Sequence, residues 1–154
     1  MKDVKVEIKG LKEVQDAIRA YKGDISKQLG SIINAAAKEA LTDVRNAIKG
    51  PPKTGNEYPR GAKIHRASAP GEAPASDTGT LVNSTYIEDR GRNSKAIGSR
   101  LPYAYILEFG WFPNPKETER PSWRPAVQRI IPKMLERVEI AIAKAKARAE
   151  KTTK

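Results

Sequence analysis

The chain has no cysteine and only one histidine, His65, among its 154 residues. The absence of cysteine excludes disulfides, thiolate metal sites and cysteine nucleophiles. A zinc site would need carboxylates as its main ligands, and a Ser-His-Asp triad would have to use His65, which lies in a stretch rich in proline and glycine. The sequence therefore predicts no metal, no cofactor and no enzymatic activity.

Long apolar runs are also missing. No segment approaches the roughly 18 apolar residues that a membrane helix needs, and the N-terminal sequence MKDVKVEIKG alternates charge with valine, unlike a signal peptide. Aromatic residues make up only 6% of the chain, so we expect a mostly aliphatic core. The length predicts a single domain over residues 1–154. We expect the protein to be made in a cytosol, and used or assembled there, without a membrane.

Positive charge is abundant. The chain has 29 Lys and Arg against 18 Asp and Glu, which gives a formal net charge of +11. Such an excess is typical of contact with nucleic acid, an anionic membrane or an acidic protein, but it also fits a generally basic surface. A nucleic-acid-binding protein is therefore an alternative, although we identify no helix-turn-helix spacing, zinc ligands or aromatic RNA-binding strand motif.

The N-terminal third predicts a strand followed by helix. Alternating apolar residues predict a strand over residues 3–9, which can join the sheet formed by later strands. Over residues 11–48 the apolar positions recur at gaps of three and four, which indicates an amphipathic helix. We expect a break at Gly23-Asp24, with Asp24 capping the second part, and a firm stop at Gly50.

A long segment without periodicity follows. Residues 50–76 are rich in proline and glycine, and stretches of this kind inside a domain are usually functional or disordered. We expect an extended basic arm or a large surface loop. Its cationic residues are Lys53, Arg60, Lys63 and Arg66.

The C-terminal half predicts strands and then a helix. TLVNSTYIE from Thr80, KAIGSR and YAYILEFG are separated by short turns, which favours an antiparallel meander. An irregular segment leads to Ser122, which can cap a final helix with Pro125 in its first turn. Pro132 should kink that helix or mark its true start, and residues 149–154 should fray. The predicted class is α+β, a small mainly antiparallel sheet packed against a long N-terminal helical segment and a C-terminal helix.

The triplet Asp77-Thr78-Gly79 also occurs in aspartic proteases. Those enzymes need two carboxylates that share a proton, and each triplet must follow a buried apolar strand. Here the triplet follows the irregular polar run GEAPAS. We therefore interpret it as a turn in which aspartate accepts backbone hydrogen bonds and glycine adopts positive φ, leading into the strand at Thr80.

Three motifs stand in a fixed order along residues 4–148: a D-T-G-x-L turn, a Y-A-x-x-x-E-F-G strand and an R-P-x-x-x-P-A helix start. The matching positions are Asp77, Thr78, Gly79 and Leu81, then Tyr103, Ala104, Glu108, Phe109 and Gly110, then Arg120, Pro121 and Pro125. In this order they resemble a family of tail-component proteins of long-tailed bacteriophages, the tail-completion or head–tail joining proteins. The loop HRASAPGEAPASDTG is longer than that family's usual form.

The resemblance implies a non-enzymatic virion protein that is assembled in the bacterial host cytoplasm. It implies a homo-oligomeric ring, expected to be hexameric, at the head-proximal end of the tail. The implied partners are further copies of the chain, a tail terminator or tube protein, and a head-completion or connector protein. Genomic DNA would pass through the assembly without specific binding. Tail completion, tail termination and head closure all fit the sequence.

The aromatic residues near the last motif are candidates for an interface, because aromatic and arginine side chains anchor protein contacts. Trp111, Phe112, Trp123 and Arg124 belong to this set, although Trp123 can instead close the core. We expect Phe109 in the core. We also expect Glu108 to pair with Arg120 or Arg124, either within the chain or between subunits.

The basic loop has three interpretations. Its cations can reach over a neighbouring subunit, dock on an acidic tail or connector surface, or face DNA. We favour the two protein contacts, because a strongly cationic channel would bind the phosphates that slide through it.

Overall fold

The computed structural model describes residues 11–91 and 93–152, and the strand expected over residues 3–9 lies outside them. The fold is α+β, as predicted. Its elements, in chain order, are α1 (Leu11–Lys49), β1 (Glu57–Arg60), β2 (Lys63–Arg66), α2 (Thr80–Asn83), β3 (Thr85–Gly91), β4 (Ser94–Ser99), α3 (Tyr103–Phe109), α4 (Pro115–Thr118) and α5 (Trp123–Thr152). None of the helices in these ranges is both long and apolar enough to span a membrane.

Helix α1 is continuous, so the predicted break at Gly23-Asp24 is wrong. A glycine inside a helix costs only about 1 kcal/mol relative to alanine, which packing along the rest of the helix offsets. Asp24 does not cap a helix. Its carboxylate accepts a hydrogen bond from the Gln28 amide (2.8 Å) and pairs with Arg148 on α5 (3.1 Å). The helix ends directly before Gly50, as predicted.

Helices α1 and α5 form an antiparallel pair. Three ion pairs join them: Asp43–Arg129 (2.8 Å), Glu39–Arg137 (2.6 Å) and Asp24–Arg148 (3.1 Å). Ala36, Ala40 and Ile130 are buried together between the two helices. The partners follow each other in reverse order along the two helices, so the helices lie side by side over most of their length.

The sheet of β3 and β4 covers the C-terminal half of α1. The two strands are antiparallel, with Thr85 opposite Ser99 and Ile87 opposite Ile97. The main core lies beneath them and consists of Val44, Ile48, Leu81, Val82, Ala104 and Ala126. Arg45 on α1 fixes the start of β3, because its Nε donates to the Thr85 hydroxyl (2.8 Å). Within the described ranges this sheet has two strands, not the three of the predicted meander.

Two segments predicted as strand are helical. Residues 80–83 form the short helix α2, and the strand begins only at Thr85. YAYILEFG forms helix α3 over residues 103–109. Ala104 and Glu108 are both buried, four positions apart, as expected for one face of a helix. The aromatic and β-branched residues that favoured a strand lie mostly on the opposite, outer side.

The long loop contains a β-hairpin that periodicity did not indicate. Strands β1 and β2 are antiparallel, with Glu57 opposite Arg66, and Gly61 (φ +60°) and Ala62 form the turn between them. Nearly every side chain of the hairpin is exposed, so no apolar alternation marks it in the sequence. The segment expected to be an extended arm or a large surface loop over residues 50–76 thus contains two paired strands, which its lack of periodicity did not indicate, and most of their side chains are exposed.

The final helix begins at Trp123, directly after Ser122, and includes Pro132 in its interior. Pro132 therefore does not mark the start of the helix. The helix continues to Thr152, and residues 153–154 lie outside the described part. The segment between α3 and α5, which was expected to be irregular, contains the single-turn helix α4.

Candidate functional site

A buried carboxylate from α3 holds the N-terminus of α5. Glu108 is 4% exposed, and its two oxygens accept hydrogen bonds from the backbone N–H groups of Ser122 (2.7 Å), Trp123 (3.0 Å) and Arg124 (2.7 Å). Such N–H groups have no partner within the helix and lie at the positive end of its dipole. In the described ranges the Ser122 hydroxyl, expected to be the cap, has no hydrogen-bond partner. Glu108 therefore joins the second and third sequence motifs.

The guanidinium of Arg124 closes over the same carboxylate. Its Nε donates to Oε1 of Glu108 (3.2 Å), and its Nη2 donates to the Glu108 carbonyl (2.7 Å) and to Oε2 of Glu119 (2.8 Å). The hydrogen bonds to Glu119 and Glu108 raise the pKa of Arg124 above its usual value. The ion pair expected for Glu108 thus forms with Arg124, inside one chain.

A close backbone approach shapes the exit from α3. Gly110 has φ +81°, and a Cβ atom there would lie 2.1 Å from the carbonyl oxygen of Pro115. Arg120 fastens the long loop to the same place, because its Nε donates to the Ser68 carbonyl (3.0 Å) and its Nη1 to the Glu119 carbonyl (2.9 Å). The α3–α5 junction is therefore a fixed unit that also holds one side of the loop.

Five further motif residues serve the core or its border. Leu81 and Ala104 are buried in the main core. Pro121 and Pro125 flank the start of α5 and are half-buried, whereas Tyr103 is exposed at the start of α3. These positions support the fold around the junction more than they offer contacts to a partner.

The Asp77-Thr78-Gly79 segment is a turn. Gly79 has φ +78°, as predicted, and the Thr78 hydroxyl accepts a hydrogen bond from the N–H of Thr80 (3.3 Å). The Asp77 carboxylate pairs with Arg60 on β1 (2.9 Å). The turn therefore leads into α2 instead of a strand, and it ties the projecting hairpin to the body of the protein.

The base of the long loop is closed by Glu72. Its carboxylate accepts hydrogen bonds from the Thr54 hydroxyl (2.6 Å), the Thr54 N–H (3.1 Å) and the Ala69 N–H (2.8 Å), which lower the pKa of Glu72 to about 2. Lys53 turns inward and donates to the Ala47 carbonyl at the end of α1 (2.8 Å), and burial lowers its pKa. Lys53 therefore acts within the chain, unlike the outward cation that we expected.

The remaining loop cations lie on the hairpin. Arg60 pairs with the turn, Arg66 pairs with Glu57 on the neighbouring strand, and Lys63 is exposed. Ile64, which the sequence did not single out, is 74% exposed between them. The hairpin thus presents cations together with the exposed side chains of Tyr58 and Ile64 to the surroundings.

An aromatic patch, defined as Tyr105, Phe109, Trp111 and Phe112, lies on the outer side of α3 and the segment after it. Trp111 is 59% and Phe112 85% exposed. Phe109 is 45% exposed, so its predicted place in the core is wrong: the helix turns Tyr105 and Phe109 outward on one face. The two rings lie 4.8 Å apart, and Arg124 lies over the Phe109 ring at 5.1 Å. Trp123, in contrast, packs against the main core.

An apolar groove, here the β4 groove, runs between β4 and α5. One cavity of about 320 Å³ is bordered by Ala96 and Ile97 of β4 and by Val127 and Ile131 of α5. A second cavity of about 430 Å³ continues along Gly98 and Ser99. Consecutive β4 residues from Lys95 to Ser99, which point to alternate faces of the sheet, border the two cavities, and no β3 residue does. The groove therefore follows the edge of β4 that β3 leaves free.

The sequence did not single out Tyr105, Glu72 or Glu119. The spacing of Ala104 with Glu108, and of Tyr105 with Phe109, is four residues, which would have indicated two faces of a helix. The Glu72 carboxylate binds Thr54 and the Ala69 N–H, and the Glu119 carboxylate binds Arg124, contacts that no helix or strand period in the sequence indicates. Within residues 11–91 and 93–152 no cluster of His, Asp and Glu is arranged to hold a metal ion.

Comparison with known proteins gives one family. The family model described as "Bacteriophage HK97-gp10, putative tail-component" matches residues 12–110, which is well over half of the chain. The matched region includes α1, both hairpins and α3 with Glu108. No curated protein matches significantly, and no solved structure does.

Proposed function

The chain belongs to the HK97-gp10-like family of bacteriophage tail components, and from that premise we propose that it forms a ring at the head-proximal end of a phage tail. It is a structural component of the virion. In the proposed role it completes the tail and joins it to the head connector. The ring consists of copies of this chain, hexameric in the simplest case, and assembles in the cytoplasm of the bacterial host.

The aromatic patch is the observation that carries this proposal. Trp111 and Phe112 are largely exposed on a segment whose backbone is fixed by Gly110 and by the hydrogen bond from the Trp111 N–H to the Thr118 hydroxyl (2.6 Å). Large aromatic side chains held rigidly on a surface are typical of interface anchors, since little conformational entropy is lost on binding. The patch therefore supports a partner contact at the α3–α5 junction.

A closed ring needs two different surfaces on each subunit, one for each neighbour. The aromatic patch and the projecting hairpin with Ile64 and Lys63 are two such surfaces, and they belong to separate parts of the chain. We infer that the basic hairpin contacts either the neighbouring subunit in the ring or an acidic surface of the tail terminator, the tube or the head-completion protein. Genomic DNA passes through the ring without sequence-specific contact.

We propose a structural role without catalysis. The carboxylate that a protease would need, Asp77, is paired with Arg60, and Glu108 is engaged by three backbone N–H groups. Both acids therefore serve the fold, which supports a structural and not a chemical role.

Electron microscopy tests the proposal directly. The purified chain, alone and mixed with tails that lack it, should give rings and tails capped at one end, and the capped tails should then attach to filled heads. Salt-sensitive binding to random DNA without rings or capped tails would contradict the proposal and favour a nucleic-acid-binding protein instead.

A further inference from the structure

The sheet of β3 and β4 has an unpaired edge beside an apolar groove. In the described part of the chain β4 pairs with β3 alone, although the β4 groove offers space along the other edge from Lys95 to Ser99. An unpaired edge leaves backbone N–H and C=O groups ready to pair with another strand. The floor of the first cavity is apolar and comes from both long helices: Ile33 and Ala37 belong to α1, and Val127 and Ile131, which are partly exposed, belong to α5.

The sequence contains one strand pattern without a place in the described sheets. Residues 3–9 alternate Val4, Val6 and Ile8 with charged residues. Seven residues in a strand extend about 23 Å, and the six residues of β4 extend about 20 Å. Such a strand would direct its valines and isoleucine toward the apolar floor and its charged side chains toward solvent.

The start of α1 lies far from the groove of the same chain. Helix α1 is continuous from Leu11, and the residue nearest to Leu11 in sequence that borders the groove is Ile33. At 1.5 Å per residue these two lie about 33 Å apart along the helix axis. Even fully extended, the chain from Leu11 back to Asp3 spans no more than about 28 Å. The ion pairs along α5 keep α1 from folding back.

We propose that residues 3–9 of one subunit add as a third strand to the β4 edge of the next subunit. Every pair of neighbouring subunits makes this same head-to-tail contact. Such a contact closes a ring when the rotation that relates neighbouring subunits adds up to a full turn. Backbone hydrogen bonds hold the strand, and the alternating apolar side chains fix its register. The proposal rests on the ring proposed above and names the segment and the edge that build it.

Engineered disulfides test this contact without interference, because the chain has no cysteine of its own. Variants with Lys5→Cys, Glu7→Cys or Lys9→Cys are each mixed with a separate Ala96→Cys variant and oxidised mildly. We expect at least one pair to cross-link between chains at least ~10-fold more than the same variant with Thr42→Cys, which lies on an exposed part of α1. Equal cross-linking to both positions would overturn the proposal.

A matched pair of substitutions tests the alternation. Val6→Asp places a charge on the face directed to the groove, whereas Lys5→Asp places the same charge on the solvent face. We expect the concentration for half-assembly to rise by at least ~10-fold for Val6→Asp and to change less than threefold or so for Lys5→Asp. Similar effects of the two substitutions would contradict strand addition.

The two proposals fail in different ways. Rings and capped tails that still form after deletion of residues 2–9 would overturn the strand exchange and leave the tail-joining role intact. If the full-length chain forms neither, both proposals are overturned. Cross-links found on tail-tube protein instead of on a second copy would overturn the exchange and identify the tube as the occupant of the groove.

Discussion

At the scale of single residues, Glu108 connects α3 to the start of α5, two elements that are separated in sequence. Its carboxylate satisfies three N–H groups at the start of α5, and Arg124 covers it from outside. A carboxylate buried this deeply would be costly without partners, but here every contact is charge-assisted or at a helix N-terminus. The E-F-G and R-P-x-x-x-P-A motifs are therefore one structural feature.

Removal of this carboxylate should destabilise the whole protein. Glu108→Ala leaves three N–H groups at the start of α5 and the Nε of Arg124 without their acceptor, and we expect the free energy of unfolding to fall by about 3 kcal/mol or more. Glu108→Gln keeps one side-chain oxygen as an acceptor, so its free energy of unfolding should fall by roughly half as much. Urea unfolding monitored by circular dichroism measures both, with the exposed Glu117→Gln as the control. A stability loss for Glu108→Ala no larger than for the control would contradict the capping role.

Gly110 should tolerate no side chain. In Gly110→Ala the new Cβ would lie 2.1 Å from the Pro115 carbonyl oxygen, at a φ of +81°. We expect a loss of about 3 kcal/mol in the free energy of unfolding. Gly71→Ala is the matched control, since Gly71 has φ +82° but no atom within 4 Å of the added Cβ, and strain alone should cost about 1 kcal/mol. Equal losses in urea unfolding would show that the close approach is unimportant.

Glu72 should make the base of the loop sensitive to acid. Hydrogen bonds from Thr54 and Ala69 lower its pKa from 4.5 to about 2, so the folded loop favours the ionised carboxylate. The resulting stabilisation is complete above pH 4.5 and disappears as the pH falls toward 2. We expect an NMR titration of the Glu72 carboxyl with a midpoint near pH 2, and loss of amide protection at Ala69 over the same range. In Glu72→Gln this pH dependence should vanish, and a midpoint near 4.5 in the wild type would contradict the geometry.

At the scale of elements, periodicity predicted the two long helices because each has a continuous apolar stripe. It failed at α3, a helix of seven residues, because aromatic or aliphatic side chains lie on both the inner and the outer face and leave no apolar stripe to recognise. Only Ala104 and Glu108 mark the inner face of α3. A buried glutamate could not be predicted there from the local sequence, because its hydrogen-bond partners come from α5. The hairpin of β1 and β2 escaped prediction for the opposite reason, because neither of its faces is buried.

The continuity of α1 gives a prediction at this scale. Gly23 lies inside the helix with no atom within 4 Å of an added Cβ, so Gly23→Ala should stabilise the protein by about 1 kcal/mol. Gly23→Pro should destabilise it by about 3 kcal/mol, since proline removes a helical hydrogen bond. Thermal unfolding compares the two. If both substitutions had no effect, the helix would be broken at Gly23 as the sequence suggested.

At the scale of the whole molecule, the pair of helices α1 and α5 carries the sheet, the aromatic patch and the hairpin toward one of its ends. The sheet, the aromatic patch and the hairpin gather around the C-terminal half of α1 and the first turns of α5. The opposite end of the pair extends beyond the sheet and carries the start of α1. In the proposed ring the strand added by a neighbour would lie beside Tyr105 and Phe109, which border the second cavity of the β4 groove, whereas Trp111, Phe112 and the hairpin border neither cavity.

The aromatic patch should therefore matter to assembly and not to folding. The double variant Trp111→Ser with Phe112→Ser removes two exposed rings, and we expect its unfolding free energy to change by less than about 0.5 kcal/mol. Its ability to form rings or to join tails should fall by at least ~10-fold, since buried aromatic anchors dominate interface energies. Ile140→Ser is the control, because Ile140 is 47% exposed and lies on α5, which carries no residue of the patch. A large loss of unfolding free energy in the double variant would show that the two aromatic side chains stabilise the fold. Tail joining as efficient as that of Ile140→Ser would show that they contact no partner.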